Sequence, residues 1–168
     1  QDLKRVSGMY SLQDLETIES ASQGLRQAVI VGGGLIGVEL AEMFHSRGIH
    51  VVLLVREDSY WNNALPPEES ALVGDIIRAE GIELRLGTEL KEILADEQGA
   101  ARAVVTSAGD ELPCQFVGLT AGVRPNIGVT AGSGIETGRG ILVDDQLATS
   151  APDVWAAGDC AEIRRPEG

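Results

Sequence analysis

Ala28-Val29-Ile30-Val31 runs without a break into Gly32-Gly33-Gly34-Leu35-Ile36-Gly37-Val38-Glu39-Leu40-Ala41. Four apolar residues, a G-x-G-x-x-G turn and the opening turns of an amphipathic helix describe a strand that feeds a helix through a glycine-rich bend. Working outward, the helical pattern holds over 35–46, and Gly48 stands where a C-terminal glycine cap is expected. Val51-Val52-Leu53-Leu54-Val55 follows, an apolar run with no polar alternation, as a parallel strand covered on both faces requires. The order predicts a β-α-β unit and an α/β, Rossmann-like fold on a parallel sheet.

The glycine turn carries chemistry as well as shape. A pyrophosphate is anionic, and the start of a helix offers it unpaired backbone N–H groups and the positive end of the helix dipole. To use them the backbone must come very close. Gly32 permits the tight turn, Gly34 removes a side chain that would block the phosphates, and Gly37 lets helix and strand pack closely. Leu35 and Ile36 fill the two remaining positions, where the helix opens. The same motif calls for a ribose reader past the second strand. Here Val55 is followed by Arg56, Glu57 and Asp58. Arg56 suits the 2′-phosphate of NADPH, whereas Glu57, about 20 residues beyond Gly37, suits the ribose hydroxyls of NADH. Both readings stand at this level, so the expected cofactor is NAD(P)H.

Elsewhere the pattern is coarser. Residues 1–23 are polar, with Leu12, Leu15 and Ile18 spaced for a linker or short amphipathic helix entered from Ser11. A loop over 56–67 leads to a helix over 68–80, with Pro67 near its start and Gly81 after it. Ile82, Leu84 and Leu86 alternate with charged residues as a strand. Stretches 92–96 and 101–106 flank Gly99 as a small antiparallel β-meander. An apolar strand over 116–121 ends in Gly122-Val123-Arg124-Pro125-Asn126. Beyond it lie a glycine-rich connection over 128–140 and strands expected at 141–143 and 153–157. The division expected is a linker or short helix over 1–23, a nucleotide-binding domain over 24–126, and part of another domain over 127–168.

Composition excludes several classes. At 168 residues, 43% hydrophobic and 23% charged, the chain is long enough for a real core and ordinary for a globular protein. A net charge of −13 argues against nucleic acid and anionic membranes as partners. No apolar run approaches the roughly 18 residues a bilayer span needs, and no signal-peptide pattern opens the chain, so a cytoplasmic location is expected. Cys114 and Cys160 are too far apart in sequence for a C-x-x-C pair, and with His45 and His50 they form no metal-ligand pattern. Tyr60 and Trp61, past the second strand near the adenosine end, suit packing first and stacking on the base second.

With these residues assembled, the chain resembles the pyridine nucleotide-disulfide oxidoreductase family, in its NADH oxidase, coenzyme A-disulfide reductase, nitrite reductase and rubredoxin or ferredoxin reductase branch. Three ordered stretches carry the resemblance: Val31 to Ala41, Gly122 to Asn126, and Thr149-Ser150-Ala151-Pro152-Asp153-Val154-Trp155-Ala156-Ala157-Gly158-Asp159. It implies that Gly32, Gly34 and Gly37 cradle the NAD(P) pyrophosphate and that Glu39 sits beside the nicotinamide. It also implies that Thr120, Ala121 and Gly122 close over the nucleotide and that Asp159 holds the ribityl chain of FAD. The activity implied is hydride transfer from NAD(P)H to FAD and then to an unidentified acceptor. The family's first FAD fingerprint, any redox-active cysteine and its C-terminal domain lie outside the matched stretch. The chain is therefore expected to be an NAD(P) domain with a strip of FAD domain, depending on those missing domains of the same polypeptide and inactive alone. The alternative is a non-catalytic NAD(H)-sensing or interaction module.

Overall fold

The two apolar runs that flank the glycine turn lie side by side at the centre of a parallel sheet. In the computed structural model, which describes residues 3–164, the described residues up to Gly122 form one unit. Its elements are β1 (Val6–Ser7), α1 (Leu12–Ser22), β2 (Gln27–Val31), α2 (Leu35–His45), β3 (His50–Leu54), α3 (Pro67–Ala79), β4 (Glu83–Arg85), β5 (Leu90–Ala95), β6 (Ala101–Thr106), β7 (Glu111–Pro113) and β8 (Phe116–Leu119). Five strands make the parallel sheet in the order β1-β8-β2-β3-β4, with Val31 opposite Leu54 and Leu119. Strands β5, β6 and β7 form a separate antiparallel meander.

The lack of polar alternation in β2 and β3 has a direct cause. Successive side chains of a strand point to opposite faces, and here both faces are covered. Ala28, Ile30, Val51, Leu53 and Val55 pack on one side with Leu40, Ala41 and Phe44 of α2, Ile77 of α3 and Ile18 of α1. Val29, Val52, Leu54 and Val117 pack on the other with Ala101, Val104 and Leu112 of the meander. Phe44 and Phe116 meet in the first cluster at 4.9 Å between ring centroids. Each is essentially fully buried, which contributes about 2–3 kcal/mol through area removed from water.

The N-terminal segment, expected as a linker or short helix, carries helix α1 and joins this unit. Val6 pairs with Val117, and Ile18 is wholly buried in the main cluster. Helix α1 is capped as its sequence suggests: Ser11 Oγ accepts from the Asp14 N–H, and Asp14 Oδ2 accepts from the Ser11 N–H, a reciprocal capping box. That hydrogen bonding, with the Tyr10 N–H foremost, holds the Asp14 carboxyl below its ordinary value.

The second unit begins at Val123, a few residues ahead of the expected change at 126. It holds a 3₁₀ turn at Gly128–Thr130 and two short parallel strands, β9 (Ile141–Val143) and β10 (Ala161–Ile163). The strand expected over 153–157 is not formed. Pro152, which lacks an N–H, and Asp153 at φ 59° turn the chain there, and Trp155 makes a single bridge to Ala148. Val154 and Trp155 point outward, while Ala156 alone joins Ile141 and Val143 in the small core. The ladder partner of β9 is the stretch immediately after Asp159.

Candidate nucleotide-binding site

The glycine turn sits at the carboxyl edge of the parallel sheet, where open α/β folds place their ligands. The Gly32 N–H donates to Leu54 O at 2.9 Å, which ties the turn to the end of β3. Gly32 has φ 123°, a conformation that side chains rarely adopt, and a Cβ there would lie 2.6 Å from the Thr120 carbonyl oxygen. Gly37 is buried against the turn itself. A Cβ on it would drive into the Gly32 carbonyl oxygen and lie 2.9 Å from Thr120 Oγ1.

Gly34 differs from both, since a Cβ there would meet nothing within 4 Å. It is the N-cap of α2, and no side chain caps the helix. The first i→i−4 bond runs from the Val38 N–H to Gly34 O at 3.2 Å, so the Leu35, Ile36 and Gly37 N–H groups precede the ladder. Open space above Gly34 and an uncapped helix start together fit an anionic diphosphate, which needs close backbone approach and several N–H donors. Leu35 is exposed and Ile36 half-buried beside this opening. Glu39, just past the first turn of α2, is exposed.

Thr120 opens the short Thr120-Ala121-Gly122 stretch, and its side chain has an anchoring role that the sequence motif does not spell out. Its N–H and its Oγ1 both donate to the Val31 carbonyl, at 2.8 and 2.9 Å, locking the end of β8 against the end of β2. Its carbonyl accepts from the Gly122 N–H at 2.8 Å, so Ala121 and Gly122 form a tight, exposed turn beside the glycine turn. A threonine at the end of an apolar strand, two residues before a glycine, is the sequence feature that marks it.

Past β3, the two candidate ribose readers touch each other. Arg56 Nη2 and Glu57 Oε1 are 2.8 Å apart. The hydrogen bond from Arg56 lowers the Glu57 carboxyl below its ordinary value, and the same bond raises the Arg56 guanidinium. The segment 85–88 braces them: the Val55 N–H donates to Arg85 O, the Gly87 N–H to Glu57 O and the Thr88 N–H to Val55 O.

The remaining candidates lie elsewhere. Tyr60 is buried in the main core, with its carbonyl accepting from Ser70 Oγ. His50 faces Glu83 at 3.8 Å, and His45 lies against Gly81. Burial pushes the Cys114 thiol up to about 11, and Cys160 is half-buried in the second unit. Asp159, also in the second unit, is exposed directly after Gly158. Among the described residues no group of acidic, histidine and cysteine side chains could hold a metal ion, and no helix is long and apolar enough to cross a membrane.

The strand–glycine turn–helix geometry agrees with what comparison with known proteins finds. Residues 3–167 match the family described as pyridine nucleotide-disulphide oxidoreductase. The chain belongs to that family. Among curated proteins, it is 36% identical over 154 residues to the nitric oxide reductase FlRd-NAD(+) reductase of Aeromonas hydrophila subsp. hydrophila, covering 92% of this chain and 39% of that protein. It is likewise 36% identical over 166 residues to the 5,5'-dehydrodivanillate O-demethylase ferredoxin reductase subunit of Sphingobium sp., covering 96% and 40%. The crystal structure of the ferredoxin reductase for the CYP199A2 system from Rhodopseudomonas palustris superposes with a TM-score of 0.89 at 32% identity, covering 96% of this chain and 40% of that one. The chain thus spans about two fifths of the length of these relatives.

Proposed function

We propose that residues 24–126 serve as the NAD(P)H-binding domain of an FAD-dependent oxidoreductase of this family, and that 127–168 belong to its FAD-binding domain. The observation that carries the reading is the glycine turn: Gly32 and Gly37 are closed in by Thr120, while Gly34 leaves open space above an uncapped helix start. The N–H groups of Leu35, Ile36 and Gly37 would bind the pyrophosphate, Ala121 and Gly122 would border the nucleotide, and Arg56 with Glu57 would meet the adenosine ribose. Glu39 would lie on the nicotinamide side. In the second unit, the exposed Asp159 would accept from ribityl hydroxyls of FAD.

A nicotinamide and a flavin bound in this way would supply the hydride chemistry, and the residues here would bind, orient and shield them. The FlRd-NAD(+) reductase and the ferredoxin reductase subunit among the relatives favour a protein electron carrier as the final acceptor, and a cytoplasmic site of action is part of the same proposal. Calorimetric titration with NADH and with NADPH tests the reading. One nucleotide per chain, bound at micromolar to submillimolar affinity, is the expected result. No binding of either would overturn it.

A further inference from the structure

The charges at the carboxyl end of β3 bear on which nucleotide the site takes, an inference that rests on the nucleotide-binding reading above. The Gly32 N–H bonds to Leu54 O, and a Cβ on Gly33 would lie 2.8 Å from the Val55 side chain, so Val55 abuts the glycine turn. Arg56 and Glu57 come next along the chain, at the place where an α/β dinucleotide fold meets the adenosine ribose.

A 2′-phosphate needs a cation free to receive it. Arg56 is already engaged by Glu57 at 2.8 Å, and Glu89 is near enough to add to the field that keeps its guanidinium charged. Asp58 follows in the same loop, its Oδ1 3.0 Å from where a Cβ on Gly87 would stand. One guanidinium thus stands in the field of two carboxylates, Glu57 and Glu89. Arg85, paired with Leu54 across the ladder on the same edge, has its guanidinium 2.7 Å from Glu83 and 3.6 Å from Asp110. A 2′-phosphate would have to draw Arg56 off Glu57 and then lie beside a released carboxylate. A ribose with free hydroxyls meets no such conflict. Glu57 Oε1 is held by Arg56, and its second carboxylate oxygen remains an acceptor for a hydroxyl while the ion pair stays intact.

We infer that the Arg56–Glu57 pair makes this site select NADH over NADPH, Glu57 receiving the ribose hydroxyls and the surrounding carboxylates turning the 2′-phosphate away. Arg56, which the sequence alone offers as a phosphate ligand, acts here as a clamp that orients Glu57. Juxtaposed like charges are the usual means by which a site rejects a wrong partner of otherwise identical shape.

Parallel titrations of NADH and NADPH into the chain, its Glu57→Gln variant and its Glu89→Gln variant test this. The parent chain should bind NADH at least about tenfold more tightly than NADPH. Glu57→Gln releases Arg56 and should strengthen NADPH binding about tenfold while weakening NADH several-fold. Glu89→Gln should shift the ratio the same way by less. If both nucleotides bind and the parent shows no preference, or prefers NADPH, or if Glu57→Gln leaves the ratio unchanged, the selection is overturned and the nucleotide site stands. If neither nucleotide binds the parent chain, the site itself is wrong and the inference falls with it.

Discussion

A chain carrying Gly37→Ala is expected to lose both stability and nucleotide binding. The added methyl group cannot be housed by rotating a neighbour, because what it meets is the Gly32 carbonyl oxygen, with Thr120 Oγ1 at 2.9 Å behind it. Both are fixed: the Gly32 N–H is bonded to Leu54 O, and Thr120 Oγ1 to Val31 O. Relief therefore requires α2 to back away from β2 and β8, disturbing the packing of Leu40, Ala41 and Phe44 that the sheet depends on. The better helix propensity of alanine offsets less than about 1 kcal/mol. The net cost should be about 3 kcal/mol, at the upper end for overpacking a core, and the melting temperature should fall by on the order of 10 °C. Thermal unfolding followed by circular dichroism measures the first effect and calorimetry with NADH the second.

Gly34→Val should separate what Gly37→Ala combines. At Gly34 the backbone is extended, with φ −87° and ψ −176°, which valine adopts readily, and a Cβ there meets nothing within 4 Å. The fold should therefore keep its stability to within about 1 kcal/mol, as surface substitutions usually do. The side chain would stand over the Leu35 and Ile36 N–H groups. Loss of two charge-assisted hydrogen bonds to a phosphate corresponds to about 3 kcal/mol or more, so NADH binding should weaken on the order of a hundredfold. The variant pair thus tests two glycines of one motif for two different needs, close packing at one and ligand access at the other. A Gly34→Val chain that binds NADH as the parent does would place the nucleotide elsewhere.

The features legible in the sequence are those with a period or a cap. Val29 to Val31 and Val51 to Val55 betray burial on two faces because they contain no polar residue, and the structure supplies a helical layer and a meander to cover them. Ser11 and Asp14 announce the start of α1 through capping chemistry that is local by nature. What escaped depends on partners far along the chain. The two-residue strand β1 exists because Val6 finds Val117, and nothing local distinguishes it. Strand β7 contains Pro113, which argues against a strand unless, as here, it lies at the margin of its sheet.

The failure over 153–157 is of another kind. Val154 to Ala157 is apolar enough to read as a strand, yet Pro152 and Asp153 bend the chain before it and Gly158, at φ 84°, bends it after. The residues that do pair, Ala161-Glu162-Ile163, look unremarkable in one dimension. At the site, the positions of the glycines could be read from their spacing. The state of Arg56 and Glu57 could not, because neighbouring side chains point apart in a regular strand and meet here only after β3 has ended.

Amide chemical shifts of the nitrogen-labelled chain, followed during titration with NADH, test the central claim most directly. The largest changes are expected in the backbone N–H groups of residues 32–38 and 120–122, with smaller ones at 56–58, and the shifts should saturate at one nucleotide per chain. Saturable shifts confined to other residues, or no shifts at the glycine turn with NADH in large excess, would contradict a nucleotide site built on the uncapped start of α2.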